Sequence, residues 1–312
     1  MNKSSAVLLN FFCLLLYLVS MNAFTIKDLE NLSGIKAHTI RIWEQRYGFL
    51  KPQRTSTNIR FYSSDELKTI LNVALLNKYG FKVSHIDKMQ PQEIQERILA
   101  LTDIAAMQER FVNDLLQAMI DLDMDLFEKI LANYIIAKGI ERTIIQIIFP
   151  FLEKIGILWL TGHIIPAQEH LVTNIIRQKI IVAIDKAESP LVADKTALLF
   201  LPESEYHELG LLFLNFILKN RGIKTIYLGA NVPLKDIDFV FQQKKPDVIF
   251  IHLTATSANF NFEKFLQQIH VQFGTTKTVI SGFITQQYKK KVPPGIECKK
   301  SLQELLDFIP SI

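Results

Sequence analysis

The segment ESEYHELG, residues 203–210, sets a carboxylate two residues before an imidazole and a glycine three residues after it. Glu205 can hold one ring nitrogen of His207 and leave the other as a metal ligand of raised basicity. Gly210 carries no Cβ, so a bulky group can come close to the backbone there. Further upstream, Trp159 is followed after nine residues by the pair Glu169-His170. Taken singly these are weak signals, since a helical Trp is usually core and a Glu-His pair is usually solvated. A third group is of another kind. Residues 41–62, RIWEQRYGFLKPQRTSTNIRFY, interleave Arg41, Arg46, Lys51, Arg54 and Arg60 with Trp43, Tyr47, Phe49, Phe61 and Tyr62. That mixture suits a phosphate backbone.

Charge supports this last reading. Between Phe24 and Tyr62 there are seven Lys and Arg against Asp28, Glu30 and Glu44, a balance of +4. The whole chain also carries +4, so everything outside this stretch sums to zero. Such asymmetry implies a local polyanionic partner rather than a generally basic protein. With Cys13 and Cys298 as the two cysteines, no disulfide framework or thiolate metal site can be built.

The elements that must position these groups fall into three blocks. In residues 21–90, Thr25 reads as an N-cap and Gly34 as a stop. A second helix closes at Gly48, residues 58–62 alternate as a hairpin or wing, and a third helix runs from a Ser64 cap to Gly80. Residues 91–188 have helical period throughout, with Pro91 opening a connector and a bundle of four or five helices following. From about 192 to 312, four apolar strand runs alternate with helices, which implies a parallel sheet covered on both faces. The loop holding Glu205 and His207 follows the first strand, at the carboxyl end where such sheets bind ligands.

The first block, FTIKDLENLSGIKAHTIRIWEQRYG with the wing ending RFY, resembles the MerR-type winged-helix DNA-binding domain. The resemblance implies operator duplex as partner, with Thr39, Arg41, Trp43 and Arg46 on the recognition helix and Arg54, Asn58, Arg60 and Tyr62 on the wing as the DNA-binding residues. Glu205-x-His207-x-x-Gly210 is similar to the Asp-x-His-x-x-Gly signature of cobalamin-binding domains, with Glu for Asp. A bundle carrying Trp-x9-Glu-His just before it is the arrangement of the cobalamin-dependent, light-sensing MerR-type repressors, the CarH type. The implied fold class is multidomain: an α winged helix-turn-helix, an all-α bundle and an α/β Rossmann-like (flavodoxin-like) domain.

By the same resemblance His207 is the lower axial ligand of cobalt in adenosylcobalamin or methylcobalamin. Trp159, Glu169 and His170 cover the upper face, and Glu205, Gly210, Thr254 and Gly282 complete the cofactor site. A homodimer or homotetramer in the cytoplasm is expected. Two positions depart from the pattern. Thr254 and Thr256 stand for Ser-x-Leu, and Ser281-Gly282-Phe283 replaces a Gly-Gly pair, which would crowd the nucleotide tail. Those departures keep open a regulator that binds a protein partner instead, and, in another class, a corrinoid methyl carrier. The apolar run at residues 6–19 reads as a mis-assigned start ahead of Met21, or alternatively as a membrane tether.

Overall fold

The computed structural model describes residues 23–187, 189, 194–255, 260–274 and 276–311. The expectations for residues 1–20 and for Thr256 lie outside the described residues. The described chain parts into two compact units after Ile175.

The first unit opens with α1 (Ile26–Ser33) and α2 (Ala37–Arg46). Thr25 caps α1 through a reciprocal pair with Asp28, and Gly34 ends it with φ 75°, a left-handed value glycine adopts without strain. Leu29, Leu32 and Ile40 are buried where the two helices meet, as their helical spacing predicts. The wing is a minimal hairpin, β1 (Gln53–Arg54) against β2 (Arg60–Phe61). Its base is tied down by a bridge between Phe24 and Tyr62. The next helix, α3 (Ser64–Lys78), is capped by Ser63 with Glu66, one residue earlier than the sequence suggested. Short α4 (Val83–Ile86) and α5 (Pro91–Leu99) follow.

The bundle helices are α6 (Ile104–Ile120) and α7 (Met124–Lys138), then α8 (Ile140–Thr143), a π-helical stretch (Ile144–Ile148) and α9 (Phe149–Leu160), which run on as one. The chain then enters α10 (Pro166–Asp185). Pro150 lacks an N–H, and the wider π turn just before it absorbs the lost hydrogen bond. Ile140–Leu160 is long and apolar enough to cross a membrane by length and composition. Here Ile144, Ile147, Ile148, Phe151, Ile155 and Leu158 are buried in the protein instead.

The second unit holds a five-stranded parallel sheet in the order β4-β3-β5-β6-β7. Its elements are β3 (Thr196–Pro202), α11 (Leu209–Asn220), β4 (Lys224–Val232), α12 (Leu234–Lys244), β5 (Val248–His252), α13 (Phe262–Phe273), β6 (Lys277–Ser281), α14 (Phe283–Gln287), β7 (Ile296–Cys298) and α15 (Leu302–Phe308). Leu198, Phe200, Ile249, Ile251 and Ile280 pack with Phe265, Leu266, Ile269 and Phe273 of α13 on one face. Strand β7 is a fifth strand beyond the four read from sequence. Three residues after a Pro-Pro-Gly turn leave no run for periodicity to detect. The chain leaves β3 for β4 on one side and returns to β5 on the other, so the strand order reverses between β3 and β5. A crevice opens outside the carboxyl ends of such a strand pair.

Candidate functional site

Glu205 lies just past the end of β3 and is 1% exposed. Its Oε1 accepts from the His207 backbone N–H at 2.9 Å and lies 2.7 Å from His207 Nδ1. Its Oε2 accepts from the backbone N–H groups of Thr254 (3.0 Å) and Ala255 (2.9 Å), after β5. One carboxylate therefore ties together the two loops that flank the crevice. Burial alone would raise its pKa, but the bonds from His207 and the Ala255 amide outweigh burial, and the net direction is down. A carboxylate at Nδ1 fixes the tautomer with the proton there, which makes Nε2 the nitrogen that carries a lone pair. Thr254 contributes its amide to this network, whereas its hydroxyl was the group expected from sequence.

Other groups around His207 were not signalled by sequence pattern. Glu208 accepts from Tyr227 Oη at 2.6 Å and pairs with Arg177 of α10 at 2.5 Å. The space over Gly210 is filled by the protein itself. A Cβ added there would lie 2.3 Å from His252 Nε2, so the glycine admits an imidazole of this chain where a ligand was expected. Ser281, the residue in place of a glycine, lies 2.9 Å from His252 Nδ1 through its Oγ. Phe283, the third residue of that departure, is exposed. Gly282 has φ 106°, and a Cβ there would lie 2.2 Å from the Leu253 carbonyl oxygen, so it serves close backbone packing.

In the first unit Trp159 sits at the end of α9 with 47% of its surface exposed, beside the more exposed Leu160. Glu169 and His170 lie in the first turns of α10, Glu169 partly buried and His170 exposed. Four residues after Trp159, His163 turns inward. Its Nε2 lies 2.7 Å from Asp28 Oδ2 of α1, and its ring is 5.4 Å from that of Phe24. Asp28 is pulled down to about 2: burial opposes this, but the bonds from His163 and Thr25 prevail. Lys154 of α9 donates to the Leu32 carbonyl at 3.0 Å and to Asn113 Oδ1 at 2.9 Å. Burial lowers its pKa to about 8. Lys154 of the helix bearing Trp159, and His163 in the turn just after it, are thus both bonded to the first helix of the winged domain. His163 reads from sequence as a turn residue without a role, because its partner lies far away in the chain.

Of the DNA-binding candidates, Arg41 and Arg46 on α2 and Arg54 and Asn58 on the wing are exposed, and Thr39 is partly so. Arg54 donates to Asn58 Oδ1 at 2.7 Å across the wing tip, where Asn58 has φ 66°. Trp43 and Tyr62 are buried, so their place is in the small core and not on a DNA-facing surface. Trp43, Tyr47 and Phe49 form a ring cluster under α2. The Tyr62 hydroxyl donates to Glu44, and Arg60 Nε donates to the same carboxylate at 2.9 Å. Glu44 thereby fixes the wing against α2, and Arg60 is partly buried in that pair.

Among the described residues no cluster of three or more His, Cys, Asp or Glu could hold a bare metal ion. A single oriented imidazole beside a crevice fits a metal that brings its other ligands with it, as in a macrocycle. Residues 24–93 match the family described as MerR HTH family regulatory protein, and residues 112–183 match the B12 binding domain. The chain thus joins a MerR HTH domain to a B12 binding domain. It is homologous to two repressors of Myxococcus xanthus. It is 28% identical to the HTH-type transcriptional repressor CarA over 285 residues, 90% of this chain and 94% of the relative. It is 26% identical to the HTH-type transcriptional repressor CarH over 252 residues, 79% of this chain and 84% of that one. The monomethylamine corrinoid protein of Methanosarcina barkeri overlays with a TM-score of 0.49 at 10% identity, covering 66% of this chain and 100% of that one. That likeness is too distant to carry functional meaning.

Proposed function

We propose that this MerR-type regulator is a repressor whose DNA affinity is set by a corrinoid held through His207. The observation that carries the reading is the Glu205–His207 pair, an imidazole pre-oriented by a buried carboxylate, in a chain that also carries a MerR HTH domain. Arg41 and Arg46 face the major groove, and Arg54, Asn58 and Arg60 follow the neighbouring phosphates. Nε2 of His207 would be the nitrogen that holds the cobalt of the corrinoid. Trp159, Glu169 and His170 cover the upper group, where a large flat side chain excludes water. The cofactor is an alkylated form, adenosyl or methyl; when bound it supplies a cobalt–carbon bond that light can break.

Two global states, distinguished by what Trp159 packs against, are what such a switch requires. In the covered state paired chains, as a homodimer or homotetramer, hold operator DNA in the cytoplasm. When Trp159 loses its cover, α9 is free to shift. The His163–Asp28 and Lys154–Leu32 bonds carry that shift to α1 and so to α2 and the wing. Protein loaded in the dark with adenosylcobalamin is therefore expected to hold genomic duplex fragments in a mobility-shift assay, and illumination to weaken binding by about tenfold or more. Equal DNA affinity in the dark, in the light and without corrinoid would contradict the proposal and favour the partner-binding alternative.

A further inference from the structure

At the carboxyl ends of β3 and β5, where a parallel sheet with this strand order opens a crevice beside the His207 loop, stands the side chain of His252. His252 is the last residue of β5. Three atoms of its ring, Nε2, Cδ2 and Cε1, lie 2.3, 2.4 and 2.9 Å from where a Cβ on Gly210 would be. The ring is therefore pressed onto bare backbone in the first turn of α11. Its opposite edge reaches Ser281 Oγ, 2.9 Å from Nδ1, at the end of β6. The imidazole thus bridges from the end of β6 to the start of α11, across the top of β5. The backbone closes the space beyond it, since Gly282 lies so tightly on the Leu253 carbonyl that no Cβ would fit. The amides that bind Glu205 belong to Thr254 and Ala255, two and three residues past His252. His252 and His207 are therefore linked through one short loop and one carboxylate.

If His207 supplies the protein's nitrogen to cobalt, a corrinoid's own base would be off the metal. If it carries a nucleotide arm, that arm has to be placed somewhere, and the concave space next to His207 is this crevice. We infer, on the corrinoid reading, that His252 decides which corrinoids are accepted: forms without a lower nucleotide enter directly, and forms that carry one must first displace the ring. Burial pushes the His252 pKa down to about 4, so the ring is neutral near pH 7. Displacing it costs a hydrogen bond and packing, but no buried charge is exposed or left behind. The discrimination is accordingly graded, not absolute. Gly210 and Ser281 fit this role together: the glycine makes room for the ring, and the hydroxyl holds it there.

The test is a titration of the full chain with aquocobinamide and with aquocobalamin, followed by quenching of tryptophan fluorescence. The wild type is expected to bind cobinamide about tenfold more tightly than cobalamin. His252→Ala opens the crevice and is expected to tighten cobalamin binding about tenfold while leaving cobinamide within about twofold. Ser281→Gly frees the ring without removing it and should shift the ratio in the same direction; it serves as the test if the first variant fails to fold. Equal binding of the two corrinoids by the wild type, or a ratio unchanged in both variants, would overturn the inference. If none of the three proteins binds either corrinoid while each still binds DNA, the corrinoid reading itself fails, and this inference falls with it.

Discussion

Glu205→Ala is expected to destabilise the α/β unit by about 3 kcal/mol, whereas His207→Ala should cost about 1 kcal/mol or less. The difference comes from what each side chain holds. The Glu205 carboxylate is buried and accepts from three backbone N–H groups, of His207, Thr254 and Ala255, besides meeting the His207 ring. Its removal leaves those donors without their buried acceptor and frees the loops after β3 and β5 from each other. Removal of the half-exposed His207 ring leaves the carboxylate with its backbone partners. The pH dependence has a definite sign. Glu205 has a folded pKa below its ordinary value, so its contribution is present above the ordinary carboxylate range and is lost as pH falls through the depressed pKa. Denaturant unfolding of wild type and Glu205→Gln across that acid range measures this. The wild type should lose stability more steeply, and parallel losses would contradict the role given to the carboxylate.

The second large effect concerns DNA. The Arg41→Ala, Arg46→Ala double variant is expected to lower the slope of log affinity against log salt by about 2 and to weaken binding at every salt concentration. Both side chains are exposed on α2, and the helix itself is held from below by Ile40 and Trp43, which the substitutions leave in place. Arg60→Ala should behave differently. Its guanidinium pairs with Glu44, which also accepts from the buried Tyr62 hydroxyl, so that variant should loosen the wing as well as remove a cation. Fluorescence anisotropy on one duplex over a salt series separates these outcomes. An unchanged slope for the double variant would remove α2 from the DNA interface.

Local signals in the sequence carried most of the architecture. Thr25 and Gly34 bound α1, the strand runs from Thr196 to Ser281 appear with helices between them, and Glu205 meets His207 because two residues of spacing suffice for that bond. What was not legible depends on contacts between distant segments. His163 and Asp28 lie in different helical blocks, and no pattern in either announces the other. His252 looks like one polar residue at the end of an apolar strand; its meaning arises when Gly210 and Ser281 are brought to it. Trp43 and Tyr62 illustrate the opposite problem. Rings among cations suggest a binding surface, but a domain this small needs its largest side chains for its core, and the cations are left to face outward. The short strand β7 is held by register with β6, which residues 296–298 do not reveal on their own.

The proposed switch stands on His207 holding a corrinoid. Full-length wild type and His207→Ala are incubated in the dark with adenosylcobalamin and, in parallel, with adenosylcobinamide, then passed through gel filtration. The wild type is expected to elute with bound corrinoid whose absorbance shows an axial nitrogen, and His207→Ala, folded and still competent for DNA, with little or none. Folded wild type that emerges colourless from both incubations would contradict it, as would a His207→Ala variant that keeps the same spectrum.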